Sequence, residues 1–199
     1  MVRIKICGIK RMEDIEIVNK YLPDYIGFVF AQSKRKVSMA KAEKLKDNLD
    51  SKIKSVGVFV DADKEEILKL YDSQIIDMAQ LHGSESEEYM HDLKNKTDNR
   101  IKIIKAIEIS QKTDLLKYNN SVADYLLLDS GKGSGKTFNW DLINENLNKD
   151  YFIAGGLDAS NISGLIQRFN PFAVDLSSGL ETDGVKDEKK ISKVMEIIR

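Results

Sequence analysis

Residues 151–179 read YFIAGGLDASNISGLIQRFNPFAVDLSSG and carry the pattern of a strand, a helix and a second strand. The run at 151–154 is short and apolar, as expected for a strand that is covered on both faces. Apolar residues then recur at 162, 165, 166 and 169, which is the spacing of an amphipathic helix. A second apolar run follows at 172–176, and no hairpin turn lies between the two runs. The stretch therefore predicts two parallel strands joined by a helix.

The same alternation fills the rest of the chain and gives eight strand–helix units. We expect a compact α/β (βα)8 TIM barrel of eight parallel strands, with residues 1–199 as one catalytic domain. An open doubly wound sheet fits less well, because the first turn, CGIK at 7–10, lacks the glycine fingerprint of a dinucleotide fold. The predicted strands are 2–7, 25–30, 53–60, 76–81, 101–106, 125–129, 151–154 and 172–176.

Composition excludes several classes of protein. The 31 basic and 32 acidic side chains leave a net charge of −1, so nucleic-acid binding driven by phosphate contacts is not expected. With 42% hydrophobic residues the chain can bury enough apolar surface to fold. One cysteine and two histidines exclude an internal disulfide and make a metal centre improbable.

The chain also lacks the patterns of a membrane or exported protein. Its longest apolar runs have about five or six residues, too few to span a bilayer, and the N-terminal MVRIK lacks the apolar stretch of a signal peptide. We therefore expect a cytoplasmic protein with no membrane partner. A monomer is expected because no apolar helix face stands out, although a dimer would share the same core pattern and stays open.

Polar residues at the carboxyl ends of the strands are the candidates for chemistry, because a barrel collects these ends around one pocket. Nine of the twelve glycines also follow predicted strands, where they allow close approach of a ligand or simply form short turns. Taken singly, a cysteine is more often a buried hydrophobe, and an aspartate can cap a turn. The candidates are Cys7, Arg35, Asp61, His82, Glu108, Asp129 and Asp175.

The loops after the last two strands favour a phosphate site. Gly155 and Gly156 follow one strand, and Ser177, Ser178 and Gly179 follow the other, so backbone amides and hydroxyls can converge on an anion. The segment GSGKT at 133–137 looks like the end of a nucleotide-binding P-loop, but Ser130 stands where its first glycine is needed. A glycine-rich loop over the barrel mouth fits that segment better.

Eight short regions, spread in order over the whole chain, match one known family. They are KICG (5–8), GFVF with SKR (27–30, 33–35), VGVFV (56–60), QLHG (80–83), LLD (127–129), GSGKTF (133–138), GGL (155–157) and VDLSSGLE with KD (174–181, 186–187). On these residues the chain resembles the phosphoribosylanthranilate isomerases of tryptophan biosynthesis. Each region alone is weak evidence, whereas the eight together are specific.

The resemblance implies an Amadori rearrangement of N-(5-phosphoribosyl)anthranilate to 1-(2-carboxyphenylamino)-1-deoxyribulose 5-phosphate, the third step from chorismate to tryptophan. Matching positions make Cys7 the general base, Asp129 the general acid and Arg35 the group that holds the anthranilate carboxylate. Asp175 is expected to contact substrate, and His82 either contacts substrate or fixes its loop. No metal ion or cofactor is implied. The implied phosphate ligands are Gly135, Gly155, Gly156, Ser177, Ser178 and Gly179.

This chemistry sets requirements on two pKa values. Opening of the ribose ring needs a protonated acid, so the pKa of Asp129 should lie above the ~3.9 of a free aspartate. Cys7 acts as a base only as a thiolate, so we expect its pKa to lie below the usual value of about 8.5. Lys5, on the same face of the first strand, or Arg35 could lower it.

Other functions are less well supported by the residues. An indole-glycerol-phosphate synthase would need a catalytic lysine on an early strand with an acid on another, and a pentose-phosphate epimerase would need metal-binding His and acidic residues. Neither set is evident. A barrel that binds a phosphorylated metabolite without turnover has no use for an acid–base pair.

Overall fold

Eight parallel strands form a closed barrel in the computed structural model, which describes residues 2–109, 114–129, 143 and 147–199. Each strand pairs with its neighbours in sequence, and the first pairs with the eighth to close the barrel. This confirms the predicted parallel barrel. The strands are β1 (Arg3–Cys7), β2 (Tyr25–Val29), β3 (Lys54–Phe59), β4 (Met78–Leu81), β5 (Lys102–Glu108), β6 (Tyr125–Asp129), β7 (Tyr151–Ala154) and β8 (Ala173–Leu176).

The described ranges contain six α-helices, of which five connect barrel strands and the sixth follows β8, and several begin at a capping side chain. Ser38, Asp63, Ser86 and Asp187 each accept a hydrogen bond from a backbone amide of the first helical turn. No helix in this part of the chain has the length and apolarity to cross a membrane. The helices are α1 (Met12–Tyr21), α2 (Met39–Asp47), α3 (Lys64–Asp72), α4 (Glu87–Asn95), α5 (Ile162–Phe169) and α6 (Glu188–Ile198).

The connections after β5 and β8 depart from the expected strand–helix repeat. After β5 the described residues contain a 3₁₀ helix, Leu116–Asn120, which stops at Asn-Asn-Ser, residue types that disfavour an α-helix. After β8 come a 3₁₀ turn at Ser178–Leu180 and an unpredicted hairpin of β9 (Glu181–Thr182) and β10 (Val185–Lys186). The connection after β6 falls largely outside the described residues.

The barrel interior is apolar at one end and charged at the other. At the N-terminal end the rings of Tyr25 and Tyr125 pack edge-on against Phe152, with centroids 5.6 and 5.8 Å away. Arg3 closes this end by stacking on the Phe172 ring, 4.2 Å from its centroid. Toward the C-terminal end the inward side chains become polar. The packed end therefore supports the fold, and the polar end is free to form a site.

Candidate active site

The carboxyl ends of β1, β6 and β8 bring three of the expected residues to the same rim. Asp129 on β6 and Asp175 on β8 both lie level with Ala154 on the intervening β7. On the other side of β8, Asp175 pairs with Lys5, two residues before Cys7. Because alternate residues of a strand face the same side, Lys5 and Cys7 share the barrel interior with both aspartates.

Two glycines make room for the side chains of the rim. A Cβ added to Gly27 on β2 would lie 2.7 Å from the Cys7 sulfur, so only glycine lets this sulfur occupy its position. Gly8 has φ +88°, and a Cβ there would overlap the Arg35 side chain. The Cys7 carbonyl also accepts a hydrogen bond from Ser177 Oγ at 3.1 Å. The sequence held one signal for Gly27, a glycine inside a strand, which marks close approach of another group.

Buried charges surround Cys7. The Lys5 side chain is 0% exposed, and its Nζ lies 2.6 Å from Asp175 Oδ2. Burial raises the pKa of the Cys7 thiol, whereas Lys5, and more weakly Lys186, favour the thiolate. The expectation of a lowered pKa for Cys7 is therefore wrong for this arrangement, because removal of the sulfur from water outweighs the cations.

Asp175 is buried, with 7% of its side chain exposed. Burial raises the pKa of its carboxyl group, and the Lys5 ammonium opposes this effect. Its second oxygen, Oδ1, is buried with no hydrogen-bond partner among the described residues. A buried acceptor of this kind needs a donor, so Asp175 is suited to receive a hydroxyl group of a ligand.

Asp129 is paired with His82. Asp129 Oδ2 lies 3.2 Å from His82 Nε2, and the Gln80 side-chain amide lies 3.1 Å from His82 Nδ1. If the amide nitrogen of Gln80 donates to Nδ1, the ring proton is on Nε2 and points at Asp129. The sequence left His82 open between a substrate contact and a loop support. The structure adds a third feature, a close contact between the His82 ring and the carboxyl group of the expected acid.

Arg35 is held by a carboxylate that the sequence did not single out. Its Nε and Nη2 lie 2.7 and 2.6 Å from the two oxygens of Glu181, in a side-on bidentate pair. Glu181 Oε1 also accepts from the buried Lys186, whose Nζ reaches the Ser177 carbonyl at 3.1 Å. This pairing leaves the end-on edge of the guanidinium, formed by its two terminal nitrogens, for another carboxylate.

Glu181 should make the stability of the protein depend on acid pH. Burial by itself would raise the pKa of Glu181, but hydrogen bonds from Arg35 and Lys186 outweigh it and lower the pKa to about 2, against 4.5 for a free glutamate. The stabilisation is therefore present above pH 4.5 and is lost as the pH falls from there toward 2. We expect Glu181→Gln to lower the free energy of unfolding by about 2 kcal/mol at pH 7, allowing for solvent screening, and by much less at pH 3.

Denaturant unfolding at pH 7 and pH 3 measures this difference. Glu188→Gln is the matched control, because Glu188 also pairs with a lysine, Lys20, at 2.6 Å but on the surface. Such exposed pairs contribute little, so the control should change stability at pH 7 far less than Glu181→Gln does, and about equally at both pH values. An equal loss in both variants at pH 7 would contradict the role given to Glu181.

The expected phosphate loops lie next to each other at the rim. Gly155 and Gly156 have φ values of +101° and +62°, which turn the chain sharply after β7. Gly179 packs so tightly on the Leu157 carbonyl that a Cβ there would overlap it. The Ser177 hydroxyl donates its proton to the backbone carbonyl of Cys7 and is therefore not available as a donor to a phosphate. Ser178 begins the 3₁₀ turn. Gly135, the remaining predicted ligand, lies outside the described residues.

Of the other two strand-end candidates, Asp61 supports loops and Glu108 lies beside Asp129. Asp61 has φ +47°, and its Oδ1 accepts hydrogen bonds from Ser84 N and Oγ at 2.7 and 2.9 Å, which fixes the loops after β3 and β4. Glu108 ends β5 level with Asp129. In the described part of the chain, no three His, Cys, Asp or Glu side chains are grouped as they would be around a metal ion.

Comparison with known proteins assigns this geometry to a family. Residues 4–197 match the model of N-(5'-phosphoribosyl)anthranilate (PRA) isomerase. The Clostridium acetobutylicum N-(5'-phosphoribosyl)anthranilate isomerase is 49% identical over 207 residues, which cover 100% of this chain and 98% of the relative.

Two solved structures extend the comparison. Monomers generated from the dimeric Thermotoga maritima isomerase superpose with a TM-score of 0.85 at 33% identity, covering 99% of this chain and 98% of theirs. An isomerase in complex with reduced 1-(o-carboxyphenylamino)-1-deoxyribulose 5-phosphate gives a TM-score of 0.84 at 35% identity, covering 98% and 97%. The chain therefore belongs to the N-(5'-phosphoribosyl)anthranilate isomerase family.

Proposed function

We propose that this barrel isomerises N-(5-phosphoribosyl)anthranilate to 1-(2-carboxyphenylamino)-1-deoxyribulose 5-phosphate, with Cys7 as the base and Asp129 as the acid. The observation that carries the proposal is the convergence of Cys7 and Asp129 on one rim, where Asp175 lies between them, in register with Lys5 on one side and with Ala154, the partner of Asp129, on the other. An Amadori rearrangement needs one proton donor and one acceptor on a single substrate. The two positions supply that pair within a family whose members carry the isomerase name.

In the first step Asp129 protonates the ring oxygen of the ribose. The bond between this oxygen and C1 breaks, and the anthranilate nitrogen supplies the electron pair that forms a C1=N bond. Asp129 becomes a carboxylate, and His82 Nε2, 3.2 Å from its Oδ2, is placed to stabilise the new charge. His82 therefore positions the acid and supports its ionised form after the proton has left.

In the second step the Cys7 thiolate removes the proton from C2. The released electron pair forms a C1=C2 bond, and the electrons of the C=N bond return to nitrogen, which gives an enolamine. Return of a proton to C1 and loss of the C2 hydroxyl proton then give the ketone. If Cys7 returns its proton and Asp129 takes the hydroxyl proton, both groups regain their starting states, so the isomerisation balances.

The two ends of the substrate carry different negative charges, and the rim offers a separate partner for each. The end-on edge of Arg35 fits the planar anthranilate carboxylate, since Glu181 already holds the other edge. The glycine turns after β7 and β8 suit the phosphate, through backbone amides more than through the Ser177 hydroxyl. The distance between these partners then sets the length of sugar that fits.

Arg35→Lys should weaken substrate binding more than it slows turnover. A lysine keeps the charge but loses the planar fork, and with it about one charge-assisted hydrogen bond, so we expect KM to rise about tenfold or more. The matched control is Arg11→Lys, because Arg11 also donates through Nε and Nη2 to a carboxylate, with both bonds reaching Oδ1 of Asp14 at the start of α1. Steady-state kinetics measure both variants. Weaker competition by inorganic phosphate alone would instead assign Arg35 to the phosphate.

Loss of phosphoribosylanthranilate fluorescence on addition of the purified protein tests the proposed function directly. We expect saturable turnover to a product with the mass of the substrate, and the same rate after dialysis against a chelator. Substrate that binds with its fluorescence and structure unchanged would identify a barrel that binds a phosphorylated metabolite without turnover. The expected monomer stays a prediction, which sedimentation of the same sample tests.

A further inference from the structure

We propose that Lys5 is a positioning residue of the site, whose buried ammonium, shared between Asp175 and Cys7, controls how readily Cys7 becomes a thiolate. The inference rests on the proposed function, since it concerns the base of that reaction. It adds a residue to the machinery that acts through Cys7 without contacting substrate.

The geometry places Lys5 between the two groups. Lys5 and Cys7 face the barrel interior from the same strand, and Lys5 is level with Asp175 on β8. The Lys5 ammonium donates to Asp175 Oδ2 at 2.6 Å, and its positive charge also acts on the Cys7 thiol. The single Lys5 cation thus stabilises the ionised forms of two groups, the Asp175 carboxyl and the Cys7 thiol.

A second buried lysine shows what a structural ion pair looks like in this barrel. Lys105 pairs with Glu85 at 2.7 Å and also binds the Gly83 carbonyl, while Glu85 accepts from the backbone amides of Asp61 and Gly83. That pair fixes two loops.

The Lys5–Asp175 pair is different in kind. In the described part of the chain neither of its side chains bonds a backbone group, and Asp175 Oδ1 has no partner. Burying such a pair is costly, and an apolar pair of the same size would stabilise the barrel equally well or better. Structural support therefore does not account for Lys5, whereas a charge beside Cys7 does.

Among the residues that the structure describes, four charged groups from different elements act on Cys7. Of these charges, Lys5 on β1 and Asp175 on β8 have the largest effects on the pKa of the Cys7 thiol. Lys5 lowers this pKa and Asp175 raises it. Lys186 on β10 also favours the thiolate, and Arg35 interacts with the sulfur from the loop after β2. Both of these outer cations are paired with Glu181, which neutralises part of their charge. The balance between Lys5 and Asp175 is therefore the main control.

The test uses the fact that the chain contains one cysteine, so alkylation by iodoacetamide reports on Cys7 alone. The alkylation rate is measured from pH 6 to 10 for the wild type, Lys5→Met and Asp175→Asn. We expect Lys5→Met to move the midpoint up by about one pH unit or more, which is about a tenfold loss of rate at a fixed lower pH. Asp175→Asn should move the midpoint to lower pH, because the Lys5 ammonium then interacts with Cys7 without a competing carboxylate.

Three further variants make the outcome decisive. Lys105→Met removes the matched buried lysine and should leave the midpoint unchanged, whereas Lys5→Arg keeps the charge and should stay near the wild type. Unchanged midpoints in both Lys5→Met and Asp175→Asn, or shifts in the same direction, would overturn the proposal. If Lys5→Met does not fold, Asp175→Asn alone tests the proposal. A midpoint at lower pH supports it, and an unchanged or higher midpoint overturns it. Full turnover by Cys7→Ala would exclude Cys7 as the catalytic base. If the alkylation midpoints of Lys5→Met and Asp175→Asn still moved in opposite directions, the control of Cys7 ionisation by Lys5 and Asp175 would nevertheless stand.

Discussion

Cys7→Ala is expected to lower kcat by about 10²–10⁴-fold and to leave KM nearly unchanged. The substrate carries its charges at its two ends, where Arg35 and the glycine turns lie, so loss of the sulfur should leave most of the binding energy. The proton on C2 then loses the base that the mechanism assigns to it, so the second step is the one that slows. Steady-state kinetics with purified substrate measure both constants.

Cys7→Ser is the companion variant that separates chemistry from packing. Serine fills the space beside Gly27 almost as cysteine does, but its hydroxyl ionises far above neutral pH and is a poor base. We therefore expect a loss close to that of alanine. Full activity in either variant would exclude Cys7 as the base, and recovery in serine alone would show that the side chain only fills space.

The strands were largely predictable because a barrel strand is apolar on both faces. The bounds of β6 and β7 agree with the sequence pattern, 125–129 and 151–154. The start of β4 does not agree with the sequence pattern. The apolar run begins at Ile76, but the amides of Ile75 and Ile76 bond to the Leu70 carbonyl and finish the turn after α3, so the strand begins at Met78. Apolar residues at a helix end look the same as those of a strand.

The residues of the rim that lie at strand ends were predictable from the sequence. The contacts between side chains of different loops were not. Cys7, Asp129 and Asp175 lie at or next to the carboxyl ends of predicted strands, and a parallel barrel brings such ends together. Glu181 sits in a short hairpin with no periodic pattern, and its partner Arg35 is 146 residues away. Nothing in the spacing of these two residues indicates that they meet. The same holds for the contact of His82 with Asp129, which depends on side-chain direction at two loop ends.

Asp129→Asn is expected to lower kcat by about 10²–10⁴-fold, because the amide cannot protonate the ring oxygen. Asparagine is nearly the same size, and its oxygen can still accept from His82 Nε2, so the pair of Asp129 and His82 should keep its geometry. The loss should persist at every pH at which the protein is folded. A rate that returned to the wild-type value at low pH would show that another group supplies the proton.

The double variant with Cys7→Ala makes the assignment of Asp129 sharper. Acid and base act in successive steps on one substrate, so removing both should cost little more than the worse single change. Losses that multiply would instead place Asp129 and Cys7 in independent roles. If Asp129→Asn left kcat unchanged while His82→Gln reduced it, the imidazole and not the carboxyl group would be the acid, since both face the same position above β4 and β6.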